Sequence, residues 1–173
     1  MTLRPAWLIC LQMPDLPSIL FVCLGNICRS PLAEAALRAE AVRIGRAITV
    51  DSAGTGDWHV GSPPDRRAQA TALRHGIDIS DYRARQVESG DFRRFDYILA
   101  LDRDNLASLM AIAPGDATAA VGLLLDLVPG RAGEGVRDPY FGDESGFELT
   151  WAEVSAAAQA IVALMGSVKS GDD

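Results

Sequence analysis

The sequence predicts an α/β fold of three layers, a four-stranded parallel sheet with helices on both faces. Three observations predict it. Four stretches of the chain are continuous apolar runs rather than alternating ones, the pattern of strands buried on both sides. Segments with helical periodicity separate those runs, as in sheets built by strand–helix–strand crossovers. The chain has 173 residues, 49% of them hydrophobic, and no internal repeat, which suits one domain with a single sheet at its centre.

In chain order, "SILFVC", Ser18 to Cys23, reads as the first strand. Ser30 can cap the next helix and Pro31 suits its first turn. Ala33, Leu37, Ala41 and Ile44 share one face of that helix, and Gly45 stops it. "AITVDSAGT" is the second strand, ending near Asp51, and Gly54 to Pro64 is a loop holding Trp58 and His59. Asp65 to His75 is helical and Gly76 ends it; His75 falls on the Ala68 and Ala72 face and reads as a core histidine. "FDYILAL", Phe95 to Leu101, is the third strand. Asp102 opens a helix with Leu106, Leu109, Met110 and Ala113 on one face, closed by Pro114. "AVGLLLDL" is the fourth strand, and Pro129 to Gly146 a long Gly-rich loop. Thr150 and Glu153 read as a capping box, and Val154, Ala158, Ile161 and Met165 stripe the last helix.

Three segments follow from this reading. Residues 1–17 form a flexible N-terminal extension, with Met13 as an alternative start and Cys10 without a role. Residues 18–168 form the folded domain, and 169–173 a tail. A net charge of −7 argues against a nucleic-acid partner. No apolar run approaches the roughly 20 residues of a membrane helix. Three cysteines do not make a disulfide scaffold, and without an export signal they point to a reducing cytoplasm. Two histidines and the Cys23-x4-Cys28 spacing are poor metal spacing, so neither metal nor other cofactor is expected.

The chemistry concentrates in "FVCLGNICRSPLAEAAL", Phe21 to Leu37. In doubly covered parallel sheets, ligands bind beyond the carboxyl ends of the strands, and Cys23, Ser52 and Asp102 all fall there. A loop entering a helix presents unpaired N–H groups in a positive field, which makes an anion site. Gly25 lets the backbone turn, and Asn26 tolerates left-handed geometry. Arg29 brings a planar fork that matches two oxygens of a phosphate. The same field favours the thiolate of Cys23. The loop thus joins a nucleophile to an oxyanion cradle.

"VCLGNICRSP" resembles the signature of the low-molecular-weight protein tyrosine phosphatases. "DSAGTGDWHVGSPPDRRA", "HGIDIS" with "RARQ", "DFRRFDYILALDRDNL" and "DPYFGDESGFE" agree with the same family, so the resemblance spans roughly residues 18 to 165. It implies a four-stranded parallel sheet with flanking helices and hydrolysis of aryl phosphate monoesters. Cys23 would be the nucleophile that becomes phosphocysteine, and Arg29 would bind the phosphate and the transition state. Asp138 would be the acid that protonates the leaving phenol and then the base toward water. The substrate-binding positions implied are Leu24, Gly25, Asn26, Ile27, Cys28, Ser30, Trp58, Tyr140 and Phe141, the three aromatics walling the pocket mouth and Leu24 and Ile27 lining the slot. Asn26, Ser30 and Ser52 would form the supporting network, with Ser30 donating to the Cys23 sulfur. Cys28, as the family's second loop cysteine, would close a reversible disulfide with Cys23 under oxidation. The implied partner is a phosphotyrosine-containing protein, and the monomer is the favoured state. One departure stands out. The family often carries a histidine shortly before "ARQ", where this chain reads "SDYRARQ". Tyr82 stands in that neighbourhood, and its hydroxyl does not charge near neutral pH as an imidazole does, so the departure bears on the loop's support network and not on the chemistry.

Three other functions fit less well. An arsenate reductase on this fold needs further cysteines downstream, and none follows Cys28. A phosphocarrier domain that holds phosphate on cysteine needs neither Arg29 nor the Asp138-Pro139-Tyr140 loop. A non-catalytic phosphotyrosine reader needs no nucleophile and no acid.

Overall fold

The computed structural model describes residues 13–165. Cys10, most of the extension and the tail lie outside the described residues. Four strands, β1 (Ser18–Cys23), β2 (Thr49–Gly54), β3 (Tyr97–Ala100) and β4 (Ala120–Leu123), form one sheet in the order β2-β1-β3-β4. Every pairing is parallel. Five helices join or follow them: α1 (Arg29–Arg43), α2 (Arg66–Arg74), α3 (Asp91–Arg94), α4 (Arg103–Ile112) and α5 (Glu144–Leu164).

The pleat of β1 explains its unbroken apolar sequence. Successive side chains point to opposite faces, and both faces are covered. Ile19, Phe21 and Cys23 join a core built with Leu32 and Leu37 of α1, Ala68 and Ala72 of α2, and Phe147, Val154 and Ile161 of α5. Leu20 and Val22 join the opposite core with Phe92 of α3 and Leu109 of α4. The three-layer expectation is therefore the observed architecture. Because the chain leaves β1 toward β2 on one side and β3 on the other, the carboxyl end of β1 opens a crevice, and Cys23 lies at its edge.

The structure departs from the sequence reading at several boundaries. Met13 and Pro17 are buried, so the segment next to β1 packs on the core instead of hanging loose. Helix α1 begins at Arg29 with Cys28 at its N-cap position and no side-chain cap; Ser30 lies inside the helix because its hydroxyl is engaged elsewhere. Strand β2 continues past Asp51 to Gly54. A Cβ on Gly54 would stand 2.8 Å from the Leu24 carbonyl oxygen and 3.2 Å from the Asn26 nitrogen. The bare Cα is what lets the loop after β1 lie this close to β2. The fourth apolar run divides, β4 giving way to a 3-10 turn over Leu124–Leu127 that keeps its leucines buried. Helix α5 starts at Glu144, capped by Asp143, whose Oδ1 accepts from the Ser145 N–H at 3.0 Å. Thr150 is thus mid-helix and its hydroxyl donates to the Gly146 carbonyl at 3.0 Å, while Glu153 pairs with Arg131 at 2.6 Å. The capping box does not form, since Asp143 supplies the cap two turns earlier. His75 is not in the core either. It is exposed at the end of α2, stacked on Trp151 at 4.7 Å and bonded to Glu148 at 3.0 Å.

Candidate active site

The loop from Cys23 to Arg29 folds back on its own sulfur. The Asn26 N–H donates to Cys23 Sγ at 3.3 Å, and the Ser30 hydroxyl lies 3.0 Å from the same sulfur. Asn26 adopts φ 56°, the left-handed region that Asn tolerates better than other non-glycine residues. Its amide is oriented by a backbone donor: Oδ1 accepts from the Arg85 N–H at 2.9 Å. Nδ2 therefore faces the two hydroxyls and donates to Ser30 Oγ at 2.8 Å and Ser52 Oγ at 3.0 Å. With a lone pair of Ser30 so occupied, its single proton has two acceptors in reach, the Cys23 sulfur at 3.0 Å and the more distant Ala53 carbonyl at 3.4 Å. Ser52 passes its proton on to Glu34 Oε2 at 2.7 Å. Burial raises the Glu34 carboxyl above its ordinary range, an effect that hydrogen bonds from Ser52 and Arg38 partly offset.

Asn26 and Ser30 thus stand behind the loop rather than in the slot, with Ser52 beside them. Glu34, not Tyr82, takes the Ser52 hydroxyl. Tyr82 is half-buried at the edge of this network; burial and the Glu34 charge push its phenol up, so it stays neutral.

Arg29 is almost wholly buried and braced from two sides. Nη1 donates to Asp102 Oδ2 at 2.5 Å and to the Val136 carbonyl at 3.1 Å, and Nη2 lies 3.6 Å from Asp138 Oδ2. Burial opposes its charge, but the Cys23 sulfur, Asp102 and Asp138 outweigh burial and hold the guanidinium protonated. Asp102 does two things at once, since its Oδ1 also caps α4 by accepting from the Asn105 N–H at 2.8 Å. Asp138 is turned by its own loop, with Oδ1 accepting from the Tyr140 N–H at 3.1 Å.

These groups meet in one slot of about 190 Å³. Cys23, Cys28, Arg29 and Asp138 line it, with Leu24, Gly25 and Ile27 on the loop side and Trp58, Tyr140 and Phe141 at the mouth. Trp58 is 70% and Phe141 96% exposed, so these rings are presented to whatever enters. The Trp58 indole lies across Gly56, where a Cβ would stand 1.7 Å from it. Cys28 is buried beneath the slot, and burial, with the charges of Asp65, Cys23 and Asp138, pushes its thiol far up. The α1 N–H groups have no side-chain cap and stay available to an anion. Among the described residues no group of three or more His, Cys, Asp or Glu side chains is placed to hold a metal ion, and no helix is long and apolar enough to cross a membrane.

Sequence reasoning missed His59, which lines the slot with its ring against Gly25, and the bracing roles of Asp102 and Glu34. Loop residues such as His59 carry no periodic signal. The Asp102–Arg29 pair joins positions 73 apart in the chain, a contact no local pattern encodes.

Residues 18–170 match the family described as low molecular weight phosphotyrosine protein phosphatase. The protein of that name from Schizosaccharomyces pombe is 43% identical over 132 residues, covering 75% of this chain and 84% of its own. The crystal structure of YfkJ from Bacillus subtilis superposes with a TM-score of 0.79 at 41% identity, covering 86% of this chain and 93% of that one. The structure described as DARP, drosophila arginine phosphatase, gives 0.82 at 32% identity, covering 88% and 99%. From the family match along nearly the whole described chain, and from a cysteine and an arginine set together at the end of β1, it follows that this chain belongs to the low molecular weight phosphotyrosine protein phosphatase family.

Proposed function

We propose that the protein hydrolyses phosphotyrosine in protein substrates through a phosphocysteine intermediate. The observation that carries the proposal is the shared slot: a sulfur that receives hydrogen bonds, a braced guanidinium and a carboxylate all face one cavity. The Cys23 thiolate attacks phosphorus while Arg29 holds two phosphate oxygens, and the ester P–O bond breaks. Asp138 gives its proton to the departing phenolate. Water then attacks the phosphocysteine, Asp138 takes the proton, the S–P bond breaks and phosphate leaves with Cys23 again a thiolate. Ser30 stabilises that thiolate as leaving group. The rings of Trp58, Tyr140 and Phe141 and the side chains of Leu24 and Ile27 suit an aromatic ring. Among the described residues Asp138 is the one carboxylate lining the slot, so no second carboxylate there would pair with a guanidinium such as that of phosphoarginine.

The test is a panel of phosphotyrosine, phosphoserine and phosphoarginine peptides with the wild type and three variants. Phosphotyrosine should be preferred. Cys23→Ser should abolish turnover without unfolding the protein, and Arg29→Lys should be severe because a point charge cannot replace the fork. Asp138→Ala should slow phosphotyrosine hydrolysis by roughly 10²–10⁴-fold, with a smaller loss for esters of acidic phenols. Wild-type rates in Cys23→Ser, or preference for phosphoarginine, would refute the reading.

The same reading extends to oxidation. Peroxide would convert the Cys23 thiolate to a sulfenic acid, which the Cys28 thiol condenses with, forming the disulfide and releasing water. Mass spectrometry after peroxide should find a Cys23–Cys28 crosslink that dithiothreitol reverses. Irreversible loss of activity without that crosslink would exclude the trap.

A further inference from the structure

Asp138 sits on a Gly-rich loop that could take many positions, and one arginine outside the slot fixes the observed one. Arg67, in the first turn of α2, turns its fork both ways. Nε and Nη2 donate to the two oxygens of Asp65 at 3.0 and 2.9 Å. Nη1 donates to the Gly142 carbonyl and Nη2 to the Tyr140 carbonyl, each at 3.0 Å. The guanidinium lies over the buried Phe147 ring, 4.7 Å from its centroid. Asp65 in turn reaches the nucleophile loop, its N–H donating to the Ile27 carbonyl at 2.8 Å. On the other side, Tyr140 is the residue whose N–H orients the Asp138 carboxylate. One planar group therefore bridges the loop that carries the acid and the residue tied to the loop that carries the sulfur.

A helix cap does not account for this arrangement. The Arg67 backbone N–H alone satisfies the cap, donating to Asp65 Oδ1 at 2.8 Å. The ion pair with Asp65 is partly buried and anchors the fork. What the side chain adds is two bonds to carbonyls two and four residues beyond Asp138.

We propose that Arg67 is a positioning residue for general acid catalysis, holding the 138–142 loop where Asp138 can reach the leaving oxygen. The inference rests on the assignment of Asp138 as the acid. Arg67 lines no part of the slot, so it acts through the 138–142 loop it holds rather than on the phosphate.

The experiment compares kcat/KM for phenyl phosphate, whose leaving group needs a proton, with 2,4-dinitrophenyl phosphate, whose leaving group does not, alongside inhibition by inorganic phosphate. Arg67→Met keeps the packing on Phe147 and removes the fork. It should lower kcat/KM for phenyl phosphate by about 10- to 100-fold, the scale of a misplaced catalytic group. It should leave 2,4-dinitrophenyl phosphate and phosphate inhibition close to wild type. Arg67→Lys should recover only part, because one ammonium cannot serve a carboxylate and two carbonyls together. In an Asp138→Ala background, Arg67→Met should have no further effect. Asp65→Asn, which keeps the cap but weakens the fork's anchor, should show the same selective loss and stands in if Arg67→Met does not fold. Equal losses on both esters, weakened phosphate inhibition, or losses that multiply with Asp138→Ala overturn the inference. If Asp138→Ala itself slows both esters equally, the acid assignment falls first and this inference with it, a result visible before any Arg67 variant is made.

Discussion

Asn26 carries two demands that no other residue meets together. Its backbone stands at φ 56°, and its amide takes one backbone proton and hands on two of its own, toward Ser30 and Ser52. Asn26→Gly separates the demands, since glycine accepts the backbone and loses the network. Asn26→Ala loses both and adds a left-handed penalty of about 1–2 kcal/mol. Either change strips a partner from two buried hydroxyls and one N–H, costing about 1–3 kcal/mol. Urea unfolding should therefore rank wild type above Gly above Ala, and both variants should lose kcat/KM, because Ser30 is no longer aimed at the sulfur. A glycine variant with wild-type kcat/KM would show that the loop needs only the backbone angle. Cys23, Asn26 and Arg29 were legible in the sequence because they share one short loop and their residue types match one chemistry, whereas Ser30 read as a helix cap and came to the sulfur only through the family resemblance. Asp138 was singled out through the family resemblance: a carboxyl suits protonation of a leaving phenolate, but an Asp before Pro in a Gly-rich loop reads first as a surface turn. Asp102 was legible as lying at the carboxyl end of the sheet but not as the brace of Arg29, and His59 and Arg67 were not legible as site residues, because their roles arise where distant loops meet.

At the scale of elements, the strands were the most readable part. An unbroken apolar run buried on both faces has one good explanation, and β1 and β3 follow it along their length. Boundaries were read less well, for physical reasons that differ. Burial does not distinguish a strand from a 3-10 turn, so "LLDL" continued the pattern of β4 while its backbone turned. Helix α3 is one turn of four residues, too short for periodicity to appear. At α5, two capping signals competed. Asp143 and Ser145 lay inside what reads as a loop because Gly142 and Gly146 flank them, and glycine in the first turn did not stop the helix. The earlier start matters to function, since it packs Gly146 against Pro139, next to Asp138. The same segment buries Phe147 beneath Arg67.

Across the whole molecule, one buried carboxylate joins the sheet edge to the catalytic loop. The Asp91 side chain is fully buried and accepts from Arg85 Nη1 at 2.9 Å, Arg85 Nη2 at 3.2 Å and the Glu88 N–H at 2.8 Å, with Arg94 also bonded to it. Arg85 reaches on to Asp51 at 2.9 Å at the edge strand, while its N–H holds the Asn26 amide and its carbonyl accepts from the Gly54 N–H. Burial alone would raise the Asp91 carboxyl, but the bonds from Arg85, Glu88 and Arg94 outweigh it and hold the group below the ordinary carboxylate range. A group whose folded value is depressed is protonated first in the unfolded chain. Its stabilisation is therefore complete well above the unfolded value of about 3.9 and is lost as pH falls through the lower folded value. Asp91→Asn imitates the protonated state at every pH. The variant should be less stable than wild type by about 1.5–3 kcal/mol near neutral pH, the range for hydrogen bonds to a charged group. The gap should close as the pH is lowered past that unfolded value. Glu34, raised by burial, shifts with the opposite sign, but it is present in both proteins and cancels in the difference. Urea midpoints for the pair, measured from neutral pH down into acid, check the prediction. A gap that stays constant with pH would mean that Asp91 acts through its shape rather than its charge.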